Sequence, residues 1–120
     1  EIYAVPFNAP GFLVITPETE ATRLISTGYY TAGAVQNLVG LHVGRRKWSG
    51  GAIVDGILYT APYDAPMLLR MTLSTQRITG FSTEKTWAGE AKWSGCEGFR
   101  SELYCAPYNA PGILRYNPSY

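Results

Sequence analysis

The apolar residues of this chain fall in short runs broken by turn residues, and the middle of the sequence shows the pattern most clearly. From Trp48 to Val54 it reads Trp-Ser-Gly-Gly-Ala-Ile-Val, and Asp55-Gly56 follows. That dipeptide signals a two-residue hairpin, because a type I′ turn needs positive φ at both central positions. A second strand is predicted over Ile57 to Ala61. Pro62 and Pro66 then bracket a rigid turn at Tyr63-Asp64-Ala65, after which Met67 to Met71 and Arg77 to Ser82 read as the third and fourth strands. Helical spacing occurs only around Gly33 to Leu41, through Ala34, Val35, Leu38 and Leu41, and glycines weaken it.

Aligning the chain with itself extends this reading to nearly its whole length. Lys47-Trp48-Ser49-Gly50 recurs as Lys92-Trp93-Ser94-Gly95. Leu58-Tyr59-Thr60-Ala61-Pro62-Tyr63-Asp64-Ala65-Pro66 recurs as Leu103-Tyr104-Cys105-Ala106-Pro107-Tyr108-Asn109-Ala110-Pro111, and both offsets are 45 residues. A third copy opens the chain as Ile2-Tyr3-Ala4-Val5-Pro6-Phe7-Asn8-Ala9-Pro10, displaced by 56 residues from the second. Three units result: about 1–46 with an insertion at 28–46, then 47–91 and 92–120. Four strands in a period of about 40 to 50 residues is the signature of a propeller blade. The expected fold is therefore all-β: one domain of about three four-stranded antiparallel blades.

The repeated Lys-Trp-Ser-Gly and Leu-Tyr-x-Ala-Pro-Tyr-[Asn/Asp]-Ala-Pro segments resemble β-propeller repeats of the broadly kelch-like kind. They are similar to those of poorly characterised propeller-repeat proteins of algae and other single-celled eukaryotes. The resemblance covers nearly all of the chain outside Gly28 to Arg46 and implies a fold more than an activity. The double-glycine pattern of true kelch blades is not reproduced, and the Trp-Asp dipeptide of WD40 repeats does not occur. Propellers close with four to eight blades. The first unit here starts at its second strand and the last ends just past its third. The expectation is an incomplete or open propeller, completed by other chains or by missing sequence.

Composition narrows the function classes. Ten basic against nine acidic residues leave no electrostatic footprint for nucleic acid. The apolar runs, such as Gly51 to Leu58, are too short for a membrane-spanning helix. A start at Glu1 without a leader reads as a processed, truncated or incompletely known sequence, so the compartment cannot be read. The acidic residues are scattered, His42 is the single histidine, and no phosphate-loop or dinucleotide fingerprint occurs. These observations imply no enzyme, no metal and no cofactor. Asn117-Pro118-Ser119 fails as a glycosylation acceptor because proline occupies its middle position.

The binding candidates come from topology. In a propeller the connection leading into a blade and the one between its second and third strands emerge on the same face. Lys47, Trp48 and Ser49 are thereby expected near Tyr63 and Asp64, and Lys92, Trp93 and Ser94 near Tyr108 and Asn109. Phe7 and Asn8 are the first unit's only contribution. Such an aromatic, hydrogen-bonding surface suits a protein partner or a glycan. The opposing reading makes the Trp and Tyr residues blade-packing groups and the Ser, Asp and Asn residues turn caps. Arg45 and Arg46, with Lys47, form the sole compact basic cluster, either a rim contact for an anionic group or a solvated loop. The insertion at 28–46 is expected to contact another chain or blade.

Cys96 and Cys105 replace Gly51 and Thr60 of the middle unit. If Arg100-Ser101 takes the place of the Asp55-Gly56 turn, Phe99 pairs with Glu102, and counting back pairs Cys96 with Cys105 at a non-hydrogen-bonded position. There the Cα atoms approach to about 4.5 Å, within reach of a disulfide. The alternative is two reduced cysteines packed as small hydrophobes. A scaffold or protein-interaction subunit is the first functional reading, and a carbohydrate-binding lectin the second. The lectin requires the tryptophans to be exposed together with the Tyr and Asn/Asp residues. The scaffold tolerates their burial.

Overall fold

The structure, a computed structural model, describes residues 1–27 and 45–118. The described chain is all-β and builds three separate antiparallel sheets with no closed barrel. The first sheet comprises β1 (Ile2–Ala4), β2 (Gly11–Thr16) and β3 (Ala21–Ser26), in that order. The second has four strands in sequential order: β4 (Trp48–Val54), β5 (Ile57–Pro62), β6 (Met67–Thr72) and β7 (Arg77–Ser82). The third contains β8 (Trp93–Phe99), β9 (Glu102–Pro107) and β10 (Leu114–Tyr116). This is an incomplete propeller-like arrangement. Superposed on the repeat, β1, β5 and β9 are equivalent, so among the described residues sheet one has no counterpart of β4 and sheet three none of β7.

Turn chemistry accounts for the hairpins. Asp55 and Gly56 take φ of 50° and 78°, as the dipeptide predicts. Arg100 and Ser101 adopt the same turn at φ of 50° and 62° without a glycine. Sheet context imposes a conformation that their side chains disfavour. Each opening strand also carries a bulge, between Trp48 and Gly51 and again between Trp93 and Cys96. Gly50 and Gly95 supply the positive φ at these bulges, 77° and 81°.

The core lies between the sheets. On one side of sheet two, Trp48, Leu58, Leu69, Met71 and Ile78 pack with Phe12 of sheet one. On the other side, Val54, Tyr59, Ala61 and Leu68 pack with Trp93, Leu103, Leu114 and Tyr116 of sheet three. Strand β5 is consequently buried on both faces, while β3 at the edge of sheet one is mostly exposed. Adjacent opening strands approach so closely that a Cβ added to Gly50 would stand 2.8 Å from the Cα of Gly95. No helix among the described residues is long and apolar enough to cross a membrane. The insertion falls outside the described residues, including His42 and the segment with helical spacing, and only Arg45 and Arg46 of it are described.

Candidate functional site

The repeated turns and the Lys-Trp-Ser-Gly segments do meet, and backbone bonds join them. The Lys47 N–H donates to Phe7 O at 2.8 Å, and Lys47 O accepts from the N–H of Tyr63 at 2.9 Å. The Lys92 N–H donates in turn to Tyr63 O at 2.9 Å, and Lys92 O accepts from Tyr108 at 2.8 Å. One staircase of main-chain bonds thus crosses all three units. Ala65 and Ala110 add a second donor to the same two lysine carbonyls, each at 3.2 Å. Prolines flanking each turn fix its direction and withhold competing donors.

A second rail runs beside the first. The Asn8 carboxamide oxygen accepts the Arg46 N–H, and an Asp64 carboxylate oxygen accepts the Ala91 N–H, both at 2.7 Å. Arg46 and Ala91 hold φ near 50° to present these N–H groups, an unusual conformation for residues with side chains. Sequence reasoning cast Asp64 and Asn109 as surface binding groups, with turn capping as the opposing reading; Asn8 and Asp64 instead accept from the residue just ahead of the following Lys-Trp-Ser-Gly segment, and Asn109 donates to Glu90 O. The signal was present in the shared offset but not its direction. Thr27 and Thr83 were missed altogether. Each returns both its N–H and its hydroxyl to a turn carbonyl, Pro10 O and Pro66 O respectively. The Ser-Thr dipeptides at Ser26 and Ser82, 56 residues apart, could have revealed them.

The tryptophans do not belong to any surface. Trp48 is 0% and Trp93 2% exposed, and their indole N–H groups donate to Met67 O at 2.8 Å and Gly112 O at 2.9 Å. Their place on a solvent-facing binding surface is therefore corrected: a large apolar ring with one satisfied polar atom is a packing residue between sheets. Lys47 and Lys92 are likewise buried, and burial pushes both ammonium groups below the usual lysine range. Lys92 donates its Nζ to Gly89 O, and nearby Asp64 and Glu84 oppose the effect of burial there.

What remains on the surface is an aromatic stripe. The rings of Phe7, Tyr63 and Tyr108 follow one another with centroids 5.6 Å apart at each step. The Arg46 guanidinium lies 5.4 Å from the Tyr63 ring centre and pairs with Asp64 at 2.8 Å. Burial raises the Asp64 carboxyl, but Arg46, the Ala91 N–H and Lys92 outweigh it and hold the group below the usual range. The basic cluster is therefore divided: Lys47 is buried, Arg46 is committed to Asp64 and Tyr63, and Arg45 is exposed. Ser94 and Asn109 are exposed and Ser49 half-buried; the two serine hydroxyls lie 3.0 Å apart. Cys96 and Cys105 face each other in the expected register, Cα atoms 4.0 Å apart, and are joined as a disulfide.

No family model, no curated protein and no solved structure matches this chain.

Proposed function

We propose that this chain is a non-catalytic, β-propeller-type scaffold or protein-interaction subunit of a larger assembly, built from kelch-like blades. One observation carries the reading. The outward side of sheet three presents uncovered counterparts of the residues that sheet two buries against its neighbour. Val54 and Leu68 are buried in the core between sheets two and three, whereas their equivalents Phe99 and Ile113 are 60% and 65% exposed. Tyr108, at the end of the aromatic stripe, is 61% exposed. An apolar face made of interface positions is what a further protein unit would cover. The lectin reading loses the two indoles it required, because Trp48 and Trp93 are both buried.

The test is the native mass of the full chain measured over a dilution series. The expected particle is heavier than one 13.2 kDa chain. Phe99→Glu combined with Ile113→Glu should lower that mass while leaving the fold unchanged, since both side chains are exposed. A monomer at every concentration would count against the reading.

A further inference from the structure

One face of sheet two gathers two arginines and no acid. The strand register sets Ile57, Thr72 and Arg77 in one cross-strand row and Tyr59, Arg70 and Thr79 in the next. All six belong to the four-stranded sheet, and together they line a cavity of about 220 Å³. Arg70 is held in place there. Its Nε donates to Thr79 Oγ1 at 3.2 Å, its Nη1 donates to the Tyr116 hydroxyl at 2.8 Å, and the Phe81 ring centre lies 5.8 Å away. Among the described residues, no carboxylate lies within ion-pair distance of Arg70 or of the exposed Arg77. Tyr59 is 1% exposed, and its hydroxyl has no hydrogen-bond partner among the described residues. A buried hydroxyl left in that state calls for an acceptor.

The repeat shows which acceptor that is. Ile57 is equivalent to Glu102 in unit three and to Glu1 in unit one. Glu102 pairs at 2.8 Å with Arg115, the equivalent of Arg70, and accepts from the hydroxyl of Tyr104, the equivalent of Tyr59. Glu1 accepts from Tyr3 and Thr16, the equivalents of Tyr59 and Thr72, and pairs with Arg23 at the position of Thr79. Both other units thus set a carboxylate of their own among these donors. Unit two keeps the donors, adds Arg77 where unit one has Ala21, and puts isoleucine in the place of the acid. Burial pushes the Tyr59 phenol above its usual range, with Tyr116 and Asp55 adding to the effect and Arg70 opposing it, so the hydroxyl stays a donor.

We propose that this cavity binds a small dicarboxylate, one end taking the place that Glu1 and Glu102 fill in the other units and the other end pairing with Arg77. The repeat specifies the carboxylate, and the second guanidinium specifies a second negative charge. Arg70 Nη2, which has no partner among the described residues, joins the Tyr59 and Thr72 hydroxyls as donors for the inner carboxylate. Guanidinium–carboxylate bonds are among the strong ones, and an arginine already held by three neighbours loses little freedom on binding. A cavity of about 220 Å³ is smaller than the pockets that take drug-sized molecules, so the ligand is compact. The site goes beyond the scaffold reading and does not depend on it.

The experiment titrates succinate into the isotopically labelled full chain at constant ionic strength. Saturable amide shifts are expected, confined to Ile57, Tyr59, Arg70, Thr72, Arg77 and Thr79. Arg77→Gln, at an exposed position, should weaken binding about tenfold, the loss of one charge-assisted contact. Ile57→Glu should abolish binding by supplying the acid from within the chain, whereas Ile57→Gln, of the same length and uncharged, should retain it. No shifts in a folded chain, binding unchanged by Arg77→Gln, or equal loss in the two Ile57 variants would overturn the site. Inorganic phosphate binding as tightly as succinate would overturn the assignment to a dicarboxylate. If the Ile57 variants do not fold, the Arg77→Gln titration decides alone.

Discussion

Units two and three carry the same turn and the same tryptophan, yet they solve one position in opposite ways. Where β4 meets β5, unit two pairs Gly51 with Thr60; where β8 meets β9, unit three pairs Cys96 with Cys105 and links them. The neighbours explain the choice. A Cβ added to Gly51 would stand 3.2 Å from Val5 Cγ2 of unit one and 2.4 Å from the Tyr59 carbonyl oxygen. The residue of unit two equivalent to Val5 is Ala61, which lies in the core against which Cys96 packs. Glycine opposite valine and cysteine opposite alanine fill similar volumes, and only the second arrangement leaves room for a crosslink. Unit two has four strands and a sheet on each side of it. Among the described residues unit three has three strands, and its disulfide joins the two that form the hairpin.

The largest expected effect follows from exchanging these solutions. Cys96→Gly with Cys105→Thr should cost about 2–3 kcal/mol in urea unfolding, the loop-closure contribution of so short a bridge. The converse exchange, Gly51→Cys with Thr60→Cys, should destabilise unit two rather than strengthen it. Adding Val5→Ala should recover part of that loss. A neutral or stabilising converse exchange would break the volume argument.

A smaller effect separates the two roles of Asp64. Asp64→Ala should cost about 1–2 kcal/mol, because it orphans the Ala91 N–H as well as freeing Arg46. Asp64→Asn keeps the acceptor, as Asn8 does one unit earlier, and should cost well under about 1 kcal/mol. The pH dependence has a definite sign. The folded Asp64 carboxyl is held below the unfolded value, so its stabilisation is fully present above the ordinary carboxylate range. It is lost as pH falls through the lower folded value. Acid unfolding of the Asn variant should lack this component.

The smallest effect tests the hairpins. Ser101→Gly should stabilise unit three by about 0.5–1 kcal/mol by relieving a left-handed conformation, and Gly56→Ser should destabilise unit two by a similar amount. Thermal denaturation of the two single variants checks both. Equal and opposite shifts would establish the turns as equivalent despite their different residues.

The four strands of the middle unit were legible because each is bounded by a residue with a local reason to be there: Asp55-Gly56 for the hairpin, Pro62 and Pro66 for the turn. The cysteine register was legible for the same reason, since a two-residue turn dictates every pair behind it. Exposure was not. Trp48 and Tyr108 are both large aromatic members of a repeat, and only the position of the neighbouring sheets makes the first a buried ring and the second a surface one. Nor was the direction of the Asn8 and Asp64 bonds legible, because a side-chain acceptor in a turn serves its own turn or a backbone segment far along the chain with equal sequence signature.

The amino-acid sequence by itself determined the repeat, the strand order within each sheet and the turn types, all of which depend on contacts between near neighbours along the chain. Tertiary structure alone decided which apolar positions are core and which are uncovered interface, and that Gly51 must be glycine while Cys96 need not be. It also decided that Lys47 and Lys92 act through their backbones as links between units. The physical reason is distance: burial and inter-unit hydrogen bonding are fixed by what the next sheet brings across a gap, and no period read along one strand contains that information.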